Sequence, residues 1–222
     1  MRIMGVDEAG RGCVLGPLIV AGVLMHSESV GRLVDMGVKD SKLLSPRRRE
    51  SFATEIRKVA LSTHIVELSP AEIDVAVNTR KRLFKLNRLE ARAMAATIQA
   101  LKPNLAIVDA SDVVADRFKH HIVECLDFPV QVISEHGADR NYPVVSAASI
   151  IAKVERDHIV ERLRTQHGDF GSGYTSDPKT VNFLRRLARE SDEYPDFVRC
   201  SWKPARIAQA EARWKQTPLL EG

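Results

Sequence analysis

The chain is poor in cysteine and shows no pairing pattern among the few it has. Cys13, Cys125 and Cys200 are three in 222 residues, with no C-x-x-C spacing, so neither a disulfide framework nor a zinc knuckle is supported and reduced thiols are expected. No stretch approaches the ~18 apolar residues that a membrane span requires, and the longest apolar run, Leu18 to Met25, has strand length. Asp7, Glu8 and Arg11 stand where a signal peptide would need an apolar segment, which predicts a cytoplasmic protein with no membrane partner. A Walker motif is absent, and Gly10-Arg11-Gly12 lacks the rest of a dinucleotide fingerprint. No repeat, low-complexity tract or linker breaks the chain.

What is present describes an ordinary globular chain, 44% apolar and 28% charged. Its 33 Lys and Arg against 29 Asp and Glu leave a formal charge of +4, a mild pointer to an anionic partner. Arg2 to Val6 and Leu18 to Met25 read as two strands around a Gly-rich turn, a hairpin-like start. Ser45-Pro46 and the capping box Ser69-Pro70-Ala71-Glu72 start two helices. His64 to Leu68 is a strand, Leu83 to Leu101 a helix ended by Pro103, and Leu105 to Val108 a strand that delivers Asp109. A helix over Phe118 to Cys125, a strand over Val130 to Ser134 and a long helix from Val144 to about Arg164 follow. Helices near 178–190 and 204–215 complete an α/β body with a helical C-terminal part.

Asp7-Glu8 ends the first apolar strand, and Asp109 ends another in the same way. Either could be a solvated strand end. Asp157, seven residues after Ile150 in the long helix, rotates back to a core-facing stripe. Four acids on buried-looking elements need cations, and oxygen donors without His or Cys suit Mg²⁺ or Mn²⁺ rather than zinc. Successive strand residues point to opposite faces, so Asp7 and Glu8 are expected to offer one pocket a side chain and a backbone carbonyl, not two side chains. The glycines around Arg11 allow close approach of a ligand to the backbone. Tyr174 lies in a Gly-Ser-Gly loop expected to be flexible.

Met4-Gly5-Val6-Asp7-Glu8-Ala9-Gly10-Arg11-Gly12 with Gly16-Pro17 resembles the opening signature of the type 2 ribonucleases H, ribonuclease HII. Asp40-Ser41-Lys42-Leu43-Leu44, Asn87-Arg88-Leu89-Glu90, Val108-Asp109-Ala110, the segment Tyr142 to Lys153 with Arg156-Asp157, Gly171-Ser172-Gly173-Tyr174 and Ser201-Trp202-Lys203 continue the likeness in family order. Val-Asp-Ala and Ser-Gly-Tyr-Thr-Ser-Asp-Pro-Lys resemble the archaeal and eukaryotic branch. Cys13 and Cys200 depart from the pattern without removing a ligand.

The resemblance implies a ribonuclease H-like fold, a mixed five-stranded sheet flanked by helices with a C-terminal helical extension. The expected division is a catalytic part over 1–165 and a substrate-binding helical part over 166–222. It further implies two divalent cations, Mg²⁺ or Mn²⁺, about 4 Å apart, held by Asp7, Glu8, Asp109 and Asp157. Asp7 would bridge both, with Glu8 and Asp109 on the nucleophile side and Asp157 on the leaving-group side. The implied substrates are RNA/DNA hybrids and duplex DNA carrying a single ribonucleotide, cut 5′ of it to leave 3′-hydroxyl and 5′-phosphate ends. Primer removal and ribonucleotide excision are the corresponding roles.

Gly10, Arg11 and Gly12 would read the 2′-hydroxyl through the backbone, and Tyr174 would stack at the RNA–DNA junction. Lys42, Lys153, Arg185 and Lys203, the run Arg80 to Arg92 and Arg47 to Arg49 are candidate phosphate contacts. Ser149 and Lys153, one helical turn apart, are expected to hold a phosphate near the metals. The tail from Gln216 to Leu220 lacks the paired aromatics of a sliding-clamp box, and a monomer is expected. The rival readings are another nuclease of the same superfamily, a resolvase or 3′-exonuclease, and a non-catalytic hybrid-binding protein.

Overall fold

The computed structural model describes residues 1–38, 44–79 and 85–216, with the backbone alone at 215 and 216. Lys42, Arg80 to Arg82 and the tail beyond Gln216 lie outside the described residues. Strands β1 (Arg2–Ala9) and β2 (Leu18–His26) form an antiparallel pair in the register Arg2↔His26 to Ala9↔Ile19. β3 (Ser62–Leu68) adds antiparallel to β2, while β4 (Leu105–Asp109) and β5 (Gln131–Glu135) run parallel to β1. The sheet order is β3-β2-β1-β4-β5, the mixed five-stranded sheet expected from the resemblance.

Two helix layers cover it. On one face lie α1 (Gly31–Asp35), α2 (Pro46–Val59) and the long α7 (Pro143–His167), packed on Ala9, Ile19, Val23 and Ile107. On the other lie α3 (Pro70–Asn78), α4 (Lys85–Leu101) and α5 (Ala115–Val123), packed on Met4, Val6, Val20 and Val108. The sorting follows the two-residue period of β1, odd positions toward α7 and even positions toward α4. Gly5 lets α7 come to backbone contact, since a Cβ there would stand 2.2 Å from the Val144 carbonyl oxygen. Ser45 and Ser69 cap α2 and α3 as their sequences predict, Ser69 in a reciprocal capping box with Glu72.

The C-terminal helices α8 (Pro178–Glu190) and α9 (Lys203–Gln216) form a third apolar cluster around Phe170, Phe183 and Phe197, joined by Val14 and Leu15 from the β1–β2 connection. That connection is sewn to the C-terminal part by backbone hydrogen bonds, Val14 N to Gly173 O (2.9 Å), Gly16 N to Phe197 O (2.8 Å) and Arg199 N to Val14 O (2.9 Å). A four-residue helix, α6 (Ala138–Asn141), lies between β5 and α7 and is too short for any periodic pattern to announce.

Candidate active site

The parallel strands β1 and β4 end side by side, and open α/β sheets gather ligands outside the carboxyl ends of such strands. A pocket of about 210 Å³ opens there, lined by Asp7, Glu8, Asp109, Asp139 and Lys153, by the loop Ala9 to Gly12, and by Tyr174. Strand alternation holds, yet both acids of the Asp7-Glu8 pair line this pocket. Asp7 reaches it from the α7 side, bonded to Ser149, and Glu8 from the α4 side, bonded to Ser111 and close to Glu90. The pocket sits past the sheet end, where the two faces meet, and this overturns the expectation that only one of the two side chains could enter.

Local bonds fix the acids. The Glu8 amide donates to Asp7 Oδ1 at 2.7 Å, and the Ala138 amide at the start of α6 donates to Asp109 Oδ1 at 2.8 Å. Lys153 Nζ donates to Ser149 Oγ. Ser149 is fully buried and bonded to both Asp7 and Lys153, so it is placed to orient these two side chains. Burial, then Glu8, holds the Asp7 carboxyl well above its usual range, with Lys153 opposing. Burial, then Glu90 and Asp109, pushes Glu8 up to about 7.

Asp157 is set apart. It does not line the pocket; its half-exposed carboxylate accepts from Arg49 at 2.8 Å. The helix face inferred from the sequence is right, since Lys153, one turn earlier, lines the pocket, but four further residues carry Asp157 about 6 Å along the axis, to the first turn of α2. Asp139, 3% exposed on α6, lines the pocket instead. The one sequence signal for it is position, an acid just after β5, the third parallel strand end.

The glycine loop after β1 and the Tyr174 loop are clamped by two buried arginines. Gly10 has φ +92°, and a Cβ on it would lie 2.6 Å from Arg156 Nε and 2.8 Å from the Pro17 carbonyl oxygen, so only glycine fits. Arg156 donates to the Ser172 carbonyl at 3.2 Å and lies over the Tyr174 ring, 5.1 Å from its centre. Arg199, fully buried and not foreseen, donates to the Gly16 and Arg11 carbonyls at 3.0 Å each; burial lowers its pKa to about 10. The Gly-Ser-Gly loop is tied down rather than loose. Asp177 accepts from the Ser172 amide at 2.7 Å, and Gly173 N donates to Thr180 Oγ1 at 3.0 Å. Tyr174 nevertheless stays 39% exposed beside Gly12.

Among the basic candidates, Lys85, Arg88 and Arg92 share a groove of about 650 Å³ between α3 and α4, where Lys85 donates to the Val77 carbonyl at 2.7 Å and Arg88 lies 3.8 Å from Glu124; Arg49 and Arg185 are engaged by Asp157 and Glu211. Among the described residues no three His, Cys, Asp or Glu side chains are already gathered into a metal cage. The pocket is an open set of oxygen donors, with Glu8 Oε2 buried and without a hydrogen-bond partner among them. That suits a hard cation that keeps part of its water shell and takes only a few carboxylates from the protein.

A family model described as Ribonuclease HII matches residues 4–205. The chain belongs to the ribonuclease HII family. It is 42% identical over 221 residues to the Ribonuclease HII of Pyrococcus furiosus, covering 99% of this chain and 96% of that one. The crystal structure of the ribonuclease H2 from Pyrococcus horikoshii matches with a TM-score of 0.88 at 39% identity, over 96% of this chain and 99% of that one. The ribonuclease HII solved in a PCNA complex from Archaeoglobus fulgidus matches with a TM-score of 0.82 at 44% identity, over 91% and 96%. As a ribonuclease HII the chain is a divalent-metal-dependent ribonuclease H, an endonuclease acting on RNA/DNA substrates. Among the described residues no helix is long and apolar enough to cross a membrane.

Without metal, this site sets a pH dependence. Glu8 and Glu90 are both pushed up to about 7 by burial, from 4.5. The folded chain therefore binds more protons than the unfolded chain between those values, and stability falls as pH rises through the window. Each group contributes on the order of 3 kcal/mol of this loss. In urea titrations with a chelator the wild type should be least stable near pH 7.5, and Glu90→Gln should flatten the decline. A stability that rose from pH 5 to 7 equally in both proteins would contradict these assignments.

Proposed function

We propose that the chain cuts the RNA strand of RNA/DNA hybrids, and cuts 5′ of a single ribonucleotide in duplex DNA, leaving 3′-hydroxyl and 5′-phosphate ends. The observation that carries this is the convergence of Asp7, Glu8, Asp109 and Asp139 on a pocket floored by Gly10 to Gly12 and walled by Tyr174. Two Mg²⁺ or Mn²⁺ ions bound there would activate water and offset charge on the scissile phosphate.

In this reading Asp7, close to Glu8, Asp109 and Lys153, would be the central carboxylate holding the ions. Glu8, Asp109 and Asp139 complete the set, and Asp157 is no longer included. The glycine loop presents backbone atoms to the 2′-hydroxyl, the group that separates RNA from DNA. Tyr174 offers an exposed ring beside that loop for stacking at the RNA–DNA junction, and Lys153 offers a cation to the phosphate. Lys42, outside the described residues, stays a candidate phosphate contact. The helical part from residue 166 reaches the site through the Tyr174 loop and Arg199, which supports its role as a substrate-binding extension. The chain acts as a monomer in the cytoplasm, in primer removal and ribonucleotide excision. The Archaeoglobus fulgidus relative was solved with PCNA, but the tail here lacks paired aromatics, so no clamp-binding motif is assigned.

A 5′-labelled DNA duplex with one central ribonucleotide tests this reading. One product ending 5′ of the ribonucleotide, formed only with Mg²⁺ or Mn²⁺, is expected. Progressive shortening from an end would indicate an exonuclease, cutting of branched DNA alone a resolvase, and binding without turnover a hybrid-binding protein; each would overturn it.

A further inference from the structure

Arg11 sits at the centre of the glycine loop, yet its guanidinium is turned toward α4. Nη1 pairs with the Glu90 carboxylate, and Nη2 donates to Asn87 Oδ1 at 2.7 Å. Glu90 is fully buried, and its other oxygen has no hydrogen-bond partner among the described residues. Arg11 thus satisfies a buried carboxyl oxygen that would be costly to leave without a partner.

Asn87 uses both ends of its amide. While Oδ1 accepts from Arg11, Nδ2 donates to Asp112 Oδ2 at 2.8 Å. The chemistry of the partners fixes this orientation, because a guanidinium can only donate and a carboxylate can only accept. Asp112 is itself buried and anchored by the Val114 amide at 3.0 Å and Arg117 Nε at 2.9 Å. It lies three residues after Asp109. Asn87 and Glu90, one turn apart on α4, therefore join the loop after β1 to the loop after β4.

We infer that Asn87 and Glu90 are positioning residues that act through the Arg11 side chain to fix the Gly10–Gly12 backbone against the strand end carrying Asp109. The inference rests on the reading of that loop as the part that recognises the ribonucleotide. It makes the Arg11 guanidinium an internal brace, leaving recognition to the loop backbone. A loosened loop still meets the duplex but presents the scissile phosphate off line, so the loss falls on kcat and not on KM.

The test compares wild type, Asn87→Ala, Glu90→Gln, Arg11→Ala and the Asn87→Ala/Arg11→Ala double variant by amide hydrogen exchange and by steady-state cleavage of the single-ribonucleotide duplex. Exchange at residues 10–13 should rise about tenfold in Asn87→Ala, with the amides of α7 unchanged. The kcat should fall about tenfold, with KM within twofold. The double variant should be no slower than Arg11→Ala, because the residues act in one chain. Glu90→Gln, which keeps shape and an acceptor for Arg11, should show a smaller loop effect, and it carries the test if Asn87→Ala does not fold. Unchanged exchange at residues 10–13, a loss confined to KM, or losses that multiply in the double variant would overturn the inference. Exchange is read on the protein alone, so a failed brace is distinguishable from a failed substrate reading, in which the wild type itself does not cut 5′ of the ribonucleotide.

Discussion

Replacing Asp7 with Asn is expected to slow cleavage about a thousandfold while the chain stays folded. The variant keeps the shape of the side chain and an oxygen that can accept from the Glu8 amide, as Asp7 does at 2.7 Å. What it loses is the charge at the meeting point of Glu8, Asp109 and Lys153. Losing about 4 kcal/mol of cation binding and phosphate neutralisation corresponds to that factor. Burial disfavours this charge in the metal-free fold, so Asp7→Asn should be at least as stable as wild type toward urea in a chelator. Single-turnover rates and denaturant midpoints measured together decide the matter. A rate within tenfold of wild type, or a loss of rate that tracks unfolding, would remove Asp7 from the centre of the mechanism.

Asp139→Asn and Asp157→Asn should separate sharply. Asp139 is buried and lines the pocket, so its neutralisation is expected to slow cleavage by about a hundredfold or more. Asp157 is 43% exposed and pairs with Arg49 outside the pocket lining. A pair of that kind is worth no more than about 1 kcal/mol, so Asp157→Asn should stay within about threefold of wild type. Equal losses in the two variants, or the reverse order, would restore Asp157 as a ligand.

This contrast also marks where sequence reasoning stopped. The capped helices at Ser45 and Ser69 and the acids at the ends of β1 and β4 were legible, because caps and strand ends leave local signatures. Asp157 lies one turn beyond the pocket, beside Arg49, because helical period fixes the face of a residue but not its station along the axis. Asp139 left only a positional trace, an acid just after β5, because α6 spans four residues and carries no periodic pattern. Arg199 was hidden for a different reason. Arginines are seldom fully buried, and only the fold reveals that the Gly16 and Arg11 carbonyls meet its guanidinium. The Asn87-Arg88-Leu89-Glu90 motif was visible, but its partner, Arg11, lies 76 and 79 residues from Asn87 and Glu90.

The net charge of +4 takes on a different meaning in this light. Asp7, Glu8, Asp109 and Asp139 line one pocket, and the two divalent ions proposed for it would bring the balance to about +8. The basic groove of Lys85, Arg88 and Arg92 is then part of a surface more positive than the formal count indicates.

The central claim, that the acids of this pocket and not Asp157 hold the metal, is tested most directly by calorimetric titration of the protein with Mn²⁺ in the absence of nucleic acid. Wild type and Asp157→Asn should bind alike, while Asp7→Asn and Asp139→Asn should bind at least about tenfold more weakly. Undiminished binding by Asp139→Asn together with loss in Asp157→Asn would contradict the account.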